Sequence, residues 1–164
     1  MNTSPLKKLI VATLLAGTFF TASAALKVGD TLPDLATFKL EGKLPDALKG
    51  KIVIVDFWAS WCAPCAKSFP VLDELQKKYG DKLVIVAVNI DEKKANMDKF
   101  LEKHTVGFTV VRDGEQKLVA VAEPQTMPTS FILDGTGKVR FLHNGFHGED
   151  TRKEYISEIE SLLK

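Results

Sequence analysis

Ile52-Val53-Ile54-Val55-Asp56-Phe57-Trp58-Ala59-Ser60-Trp61-Cys62-Ala63-Pro64-Cys65 is the stretch from which the rest of the chain can be read. Its opening half is a near-continuous β-branched and aromatic run broken by one acid, the pattern of a strand buried on both faces. After the second cysteine, Phe69, Leu72, Leu75 and Tyr79 recur at helical spacing, and Gly80 stands where such a helix would stop. The cysteines therefore sit on a strand-to-helix turn, at the beginning of the helix. They are the only 2 in the chain, too few for a disulfide scaffold or a four-cysteine metal site, so whatever they do they do as a pair.

Two intervening residues let the sulfurs close a small, reversible disulfide ring. Cys62, at the helix N-terminus, meets the positive end of the macrodipole and free backbone N–H groups, which favour thiolate over thiol and make it the expected nucleophile. Cys65, one turn inside, is the expected resolving thiol. Pro64 loses no hydrogen bond in a first turn and restrains the loop, so Ala63 and Pro64 are the expected tuners of redox poise. Asp56 lies in an otherwise apolar strand, where burial raises a carboxyl pKa and suits it to proton transfer. The plainer reading of Asp56 is a strand-end acid that meets water.

Outward from this turn, the N-terminal residues read as an address. Lys7 and Lys8 precede an apolar run from Leu9 to Phe20 that ends at Ala22-Ser23-Ala24, the layout of a signal peptide over residues 1–24 with cleavage before Ala25. An uncleaved membrane anchor is the alternative use of the same residues. Residues 25–164 then form one domain, secreted or periplasmic, with neither repeat nor low-complexity linker. The stretch to Gly50, with Pro33, Gly42, Pro45 and the apolar Phe38 to Leu40, predicts a small β-hairpin ahead of the core. A second buried strand is predicted from Leu83 to Ile90, followed by a helix presenting Met97, Phe100 and Leu101. A short strand near Phe108 to Val111 and a helix near Gln116 to Ala122 come next. Ser130 to Leu133 and Val139 to Leu142, joined by Gly135-Thr136-Gly137, spell an antiparallel hairpin. Thr151-Arg152-Lys153-Glu154 spells a capping box before a last helix with Tyr155, Ile156, Ile159, Leu162 and Leu163 on one face. The expected class is α/β, a central sheet flanked by helices.

The run from Val55 to Cys65 resembles the active-site stretch of the thioredoxin superfamily. Together with the N-terminal leader, the Asp91-containing segment and Met127-Pro128-Thr129-Ser130-Phe131, it makes the chain similar to the periplasmic TlpA/ResA-like thioredoxins over nearly all of residues 30–160. The resemblance implies a thioredoxin-like fold with a mixed sheet. It implies that Pro128 is a cis-proline facing the disulfide and that Met127 offers its backbone to an extended substrate segment. Trp61, beside the nucleophile, is the expected surface contact for substrate, and Trp58 a packing residue. Two departures are visible: Ala87 stands where thioredoxin carries a lysine near its buried aspartate, and Ala63 stands where ResA-like members often carry an acid.

A net charge of +1 on 164 residues, without a run of five like charges, offers no surface for nucleic acid. His143 and His147 with the cysteine pair spell zinc-ligand types, but the gap far exceeds the roughly 12 to 15 residues of a finger. A reduced thiol pair is also a Cu(I) ligand set, though Met-rich or His-rich tracts are missing. A thiol peroxidase of related architecture would carry Thr where Ala59 stands. The expectation is therefore a monomeric thiol:disulfide oxidoreductase without cofactor or metal, reducing disulfides in partner proteins, with cytochrome or metalloprotein maturation as a setting. Its reducing equivalents would come from a membrane-bound electron donor.

Overall fold

The computed structural model describes residues 25–164, so the signal-peptide reading of residues 1–24 lies outside the described part. Strand β1 (Ile52–Trp58) is buried along all its residues, as is β2 (Leu83–Asn89). With β3 (Thr109–Arg112), β4 (Thr129–Leu133) and β5 (Val139–Asn144) they form a 5-stranded sheet ordered β3-β2-β1-β4-β5. β1, β2 and β3 run parallel, while β4 lies antiparallel to β1 and β5 antiparallel to β4, the mixed sheet of the expected thioredoxin-like class.

Side-chain alternation along β1 divides the core in two. Ile52, Ile54 and Trp58 join Cys65, Phe69, Leu72, Tyr155 and Ile159 beneath helices α1 (Ala63–Tyr79) and α4 (Glu149–Leu162), where Met97 of α2 (Lys94–Leu101) also packs. Val53, Val55 and Phe57 face the other way, onto Leu35, Leu118 of α3 (Lys117–Ala122) and Phe131. Pro64 sits in the first turn of α1, where no N–H partner is lost, and Gly80 ends the helix with φ 52°. The capping-box reading of the last helix is corrected. Gly148 is its N-cap, and Thr151 lies inside, buried, where its hydroxyl accepts the backbone N–H of His147 at 2.9 Å.

The N-terminal hairpin is also corrected. The extended pieces of residues 25–50 do not pair with one another: Thr31 bridges Lys138 and Glu41 bridges Arg112, at opposite edges of the sheet. Between them a 3-10 turn, Leu35–Phe38, is capped by Asp34, whose carboxylate accepts the N–H of Ala36 at 3.0 Å, and Leu35 is buried against the sheet. An edge strand left bare exposes unpaired N–H and C=O groups, so two edges compete successfully with a local hairpin for this backbone. Gly42 has φ 123°, and a Cβ there would come within 3.0 Å of the Val110 carbonyl, so the contact with β3 requires glycine.

Arg112 locks this segment down. Its guanidinium binds both carboxylate oxygens of Glu41, at 2.5 and 3.1 Å, and donates to the carbonyls of Asp91 and Glu92, each at 3.0 Å. Arg112→Met is expected to speed amide hydrogen exchange at Glu41, whose N–H is bonded to the Arg112 carbonyl, while β1 stays protected. Unchanged exchange at Glu41 would show that the fork does not hold the segment.

Candidate active site

The cysteine turn follows directly from the end of β1. Ala59 is fully buried and its carbonyl accepts the N–H of Cys62 at 3.1 Å, which turns the chain and places Cys62 at the N-cap of α1. Cys62 and Cys65 are joined as a disulfide, and the Cys65 N–H points at the Cys62 sulfur, 3.2 Å away. The two sulfurs are unequal: Cys62 keeps 5% of its surface exposed and Cys65 none. A partner can approach only the first. Trp61, 69% exposed, stands beside it, and Ala63 and Pro64 are exposed without charge. Trp58, by contrast, is buried between Phe69 and Phe100, ring centroids 4.8 and 4.9 Å away.

A polar clamp that sequence reading did not find holds the turn from behind. The buried carboxylate of Asp91 accepts the backbone N–H of Ser60 at 3.1 Å, the Ser60 hydroxyl at 3.0 Å and the amide of Asn89 at 2.8 Å. Its signal was the presence of two polar residues, Asn89 and Asp91, at the end of an apolar strand. On the other side of β1, Thr129 stands opposite Phe57, so the start of β4 lies at the cysteine end of the sheet. The Met127–Pro128 peptide bond immediately before it is cis. Pro128 is buried and Met127 half-buried, packed against both halves of the core.

Asp56 lies two residues before Trp58, on the face of β1 that carries Cys65 and α4, and it is fully buried. Its register neighbours are Ala87 on β2 and Ser130 on β4, so no cation lies beside it along the sheet. Burial pushes its carboxyl up to about 7, against the opposing pull of the Ser130 hydroxyl, which donates to Oδ1 at 2.5 Å. Oδ2 is buried without any partner. The water-facing reading of Asp56 is therefore corrected: a strand-end position would have exposed it, but α4 covers this end of the sheet. Ser130 and Tyr155, which complete its surroundings, were visible in sequence only as a strand residue and a core aromatic.

A family model described as thioredoxin-like matches residues 50–139. The thiol-disulfide oxidoreductase ResA of Geobacillus thermodenitrificans is 35% identical over 146 residues, covering 87% of this chain and 83% of that one. The chain belongs to the thioredoxin-like thiol-disulfide oxidoreductases. The thioredoxin-like protein YneN of Bacillus subtilis is 33% identical over 149 residues, covering 87% and 85% of the two chains. Among solved structures, a Chlorobium tepidum protein assigned as the thiol:disulfide interchange protein DsbE superposes with a TM-score of 0.77 at 37% identity, over 85% of this chain and all of that one. Within this thioredoxin-like framework Trp61, Cys62, Ala63, Pro64 and Cys65 follow the end of β1, Met127 and Pro128 precede the start of β4 at the same end of the sheet, and Asp56 lies inside β1, two residues before its last, Trp58. The histidines lie elsewhere in purpose: His143 is engaged by Glu158 at 2.7 Å and Glu154 at 3.4 Å, and His147 bonds Thr151 through its backbone.

A carboxyl whose folded pKa is raised binds its proton more tightly in the native than in the unfolded chain. Stability contributed by protonated Asp56 is full below about pH 4 and is lost as pH rises through about 7. Asp56→Asn in the oxidised protein is thus expected to raise the melting temperature at pH 8, by a stabilisation of a few kcal/mol, and much less at pH 5. Equal changes at both pH values, measured by calorimetry, would mean that Asp56 is not held neutral by burial.

Proposed function

We propose that the protein reduces disulfides in partner proteins outside the cytoplasm by a dithiol–disulfide cycle carried by Cys62 and Cys65. The observation that carries this reading is the inequality of the two cysteines, one slightly exposed beside Trp61 and one fully buried on the face that holds Asp56. In the reduced protein the Cys62 thiolate attacks one sulfur of a partner disulfide, whose S–S bond breaks to release a partner thiolate. A mixed disulfide remains. Cys65 then passes its proton to Asp56, and its thiolate attacks the Cys62 sulfur, closing the ring and releasing the second partner thiolate. Two electrons pass to the partner, and the protein is left in the disulfide form described above. A membrane-bound dithiol donor would restore it.

Several features support the assignment of roles. The N-terminus of α1 favours a thiolate at Cys62. Asp56, with its carboxyl near 7, is matched to accept a thiol proton at neutral pH. The cis Met127–Pro128 bond and exposed Trp61 supply an apolar rim for an extended partner segment. Reduction rather than oxidation is favoured because the residues between the cysteines are Ala63 and Pro64, which add no positive charge to stabilise the thiolate, as strong oxidants require. The leader read in residues 1–24 supports an extracytoplasmic site, and among the described residues no helix is long and apolar enough to cross a membrane. Cytochrome or metalloprotein maturation is the setting suggested by the family resemblance.

Cys65→Ser, expressed with its leader, is expected to accumulate disulfide-linked partners, whereas Cys62→Ser captures none. Mass spectrometry of the trapped complexes names the partners. Capture by Cys62→Ser alone would reverse the assignment of nucleophile and resolving thiol. With a trapped partner in hand, Asp56→Asn is expected to slow release by roughly 10²- to 10⁴-fold while leaving the first attack nearly unchanged. Wild-type release from Asp56→Asn in stopped-flow measurements would remove Asp56 from the mechanism.

A further inference from the structure

The strand register sets a row across the sheet on the face that carries α1 and α4, apolar at Ala87 on β2 and polar at Asp56 on β1, Ser130 on β4 and His143 on β5. Helix α4 lays Tyr155 over this row. Its hydroxyl is 2.7 Å from Ser130 Oγ, and its ring meets the His143 ring edge-on, centroids 4.8 Å apart. Asp56 has Ala87 beside it on β2 and Ser130 on β4; Tyr155 of α4 reaches it through Ser130, His143, with Glu154 and Glu158 attached, lies one strand further out on β5, and Cys65 and Ser68 of α1 are the polar groups buried in that helix, Cys65 in the core on the same face of β1. None is a lysine or arginine. Among the described residues, Ser130 is the one hydrogen-bond donor to the carboxyl.

The direction of these bonds follows from the number of protons. A hydroxyl has a single hydrogen, and an ionised carboxylate can only accept. Ser130 gives its hydrogen to Asp56 Oδ1, so Tyr155 must give its own to Ser130 Oγ. Burial, and after it the neighbouring Asp56 charge, hold the phenol pKa well above its ordinary value, so Tyr155 remains a donor throughout the working pH range. While Asp56 is ionised the chain Tyr155→Ser130→Asp56 has one orientation and ends on Oδ1. Oδ2, buried and without a partner, is the oxygen left over.

We propose that Ser130, oriented by Tyr155, is a positioning residue for disulfide exchange: it stabilises the Asp56 carboxylate and fixes its rotation so that Oδ2 is the oxygen that takes the Cys65 proton. This rests on the reading of Asp56 as proton acceptor. The step balances without solvent. As the Cys65 S–H bond breaks, the O–H bond forms on Oδ2, and the Cys65 sulfur joins Cys62 while the partner leaves as a thiolate. When a donor dithiol reopens the ring, Cys65 departs as a thiolate and recovers the proton from Oδ2. Ser130 and Tyr155 keep their hydrogens throughout, and no route from buried Asp56 to water is needed.

The test uses the full-length protein loaded with glutathione at Cys62 as a mixed disulfide, and follows release of glutathione against pH. Ser130→Ala removes the bond that favours the carboxylate, so the midpoint of the release profile should move to higher pH and the rate at pH 7 should fall about tenfold. Ser130→Thr keeps the hydroxyl and should restore the wild-type midpoint. Tyr155→Phe keeps the ring and should move the midpoint the same way, by less. Attack of the reduced protein on glutathione disulfide should be unchanged in all three. A lower melting temperature with an unmoved midpoint in Ser130→Ala would make Ser130 merely structural and overturn the proposal. If Ser130→Ala does not fold, an unmoved midpoint in Tyr155→Phe overturns it equally. Asp56→Asn separates the two layers: wild-type release there sinks the role of Asp56 itself, whereas slowed release with unmoved Ser130→Ala and Tyr155→Phe midpoints sinks only the positioning role.

Discussion

A carboxyl group without a cation beside it lies in the middle of the central strand, and much of the molecule is arranged around tolerating it. Moving an ionised carboxylate out of water is costly unless it is paired, and the usual response is a raised pKa. Here the compensation is a single hydroxyl from the neighbouring strand, which in turn depends on a phenol delivered by the last helix. Residues far apart in sequence, on β1, β4 and α4, must be assembled before the group is accommodated. The group is held poised near neutrality, able to change charge where a surface aspartate would remain ionised.

The same strand sets up the chemistry at its end. Because side chains alternate, the face that buries Asp56 also buries Trp58 and, through α1, Cys65, while the chain leaves the sheet at Ala59 and brings Cys62 to the surface. The turn between is short and held by Asp91, and the cis Met127–Pro128 bond flanks it because β4 begins where β1 ends. Accessibility of one sulfur and concealment of the other are therefore consequences of strand geometry and helix start, with no loop rearrangement needed to explain them.

The order of the elements was readable because each carries its own local signal: apolar runs for β1 and β2, helical spacing after Cys65, the Gly135–Gly137 turn between β4 and β5. The residues of the redox turn were readable for the same reason, since their chemistry and spacing are contiguous. What was illegible is long-range. The Asp91 clamp on Ser60 and the Tyr155–Ser130–Asp56 chain depend on which strands become neighbours, and no local pattern encodes that. The errors have the same origin. Phe38 to Leu40 looks like half a hairpin in isolation, yet two vacant sheet edges outcompete the local partner. Thr151 spells a helix cap, yet it lies buried inside the helix with its hydroxyl bonded to the His147 N–H, and the helix start falls back at Gly148.

The N-terminal segment that bridges both edges has a consequence for how the molecule comes into being. Thr31 finds its partner in Lys138, Glu41 in Arg112 and Leu26 in the Ala122 carbonyl of α3, so the first residues of the described chain dock on segments made well after them. A chain emerging from its N-terminus cannot complete this strap as it appears; the Glu41 bridge needs Arg112 and the Thr31 bridge needs Lys138. Such distant pairings are slow to form because loop closure precedes any gain. Until then β3 and β5 remain open to strands of other molecules. Both edges of the sheet are thus covered by the chain's own beginning only once residues as late as Lys138 are in place, and a chain lacking them leaves those edges bare.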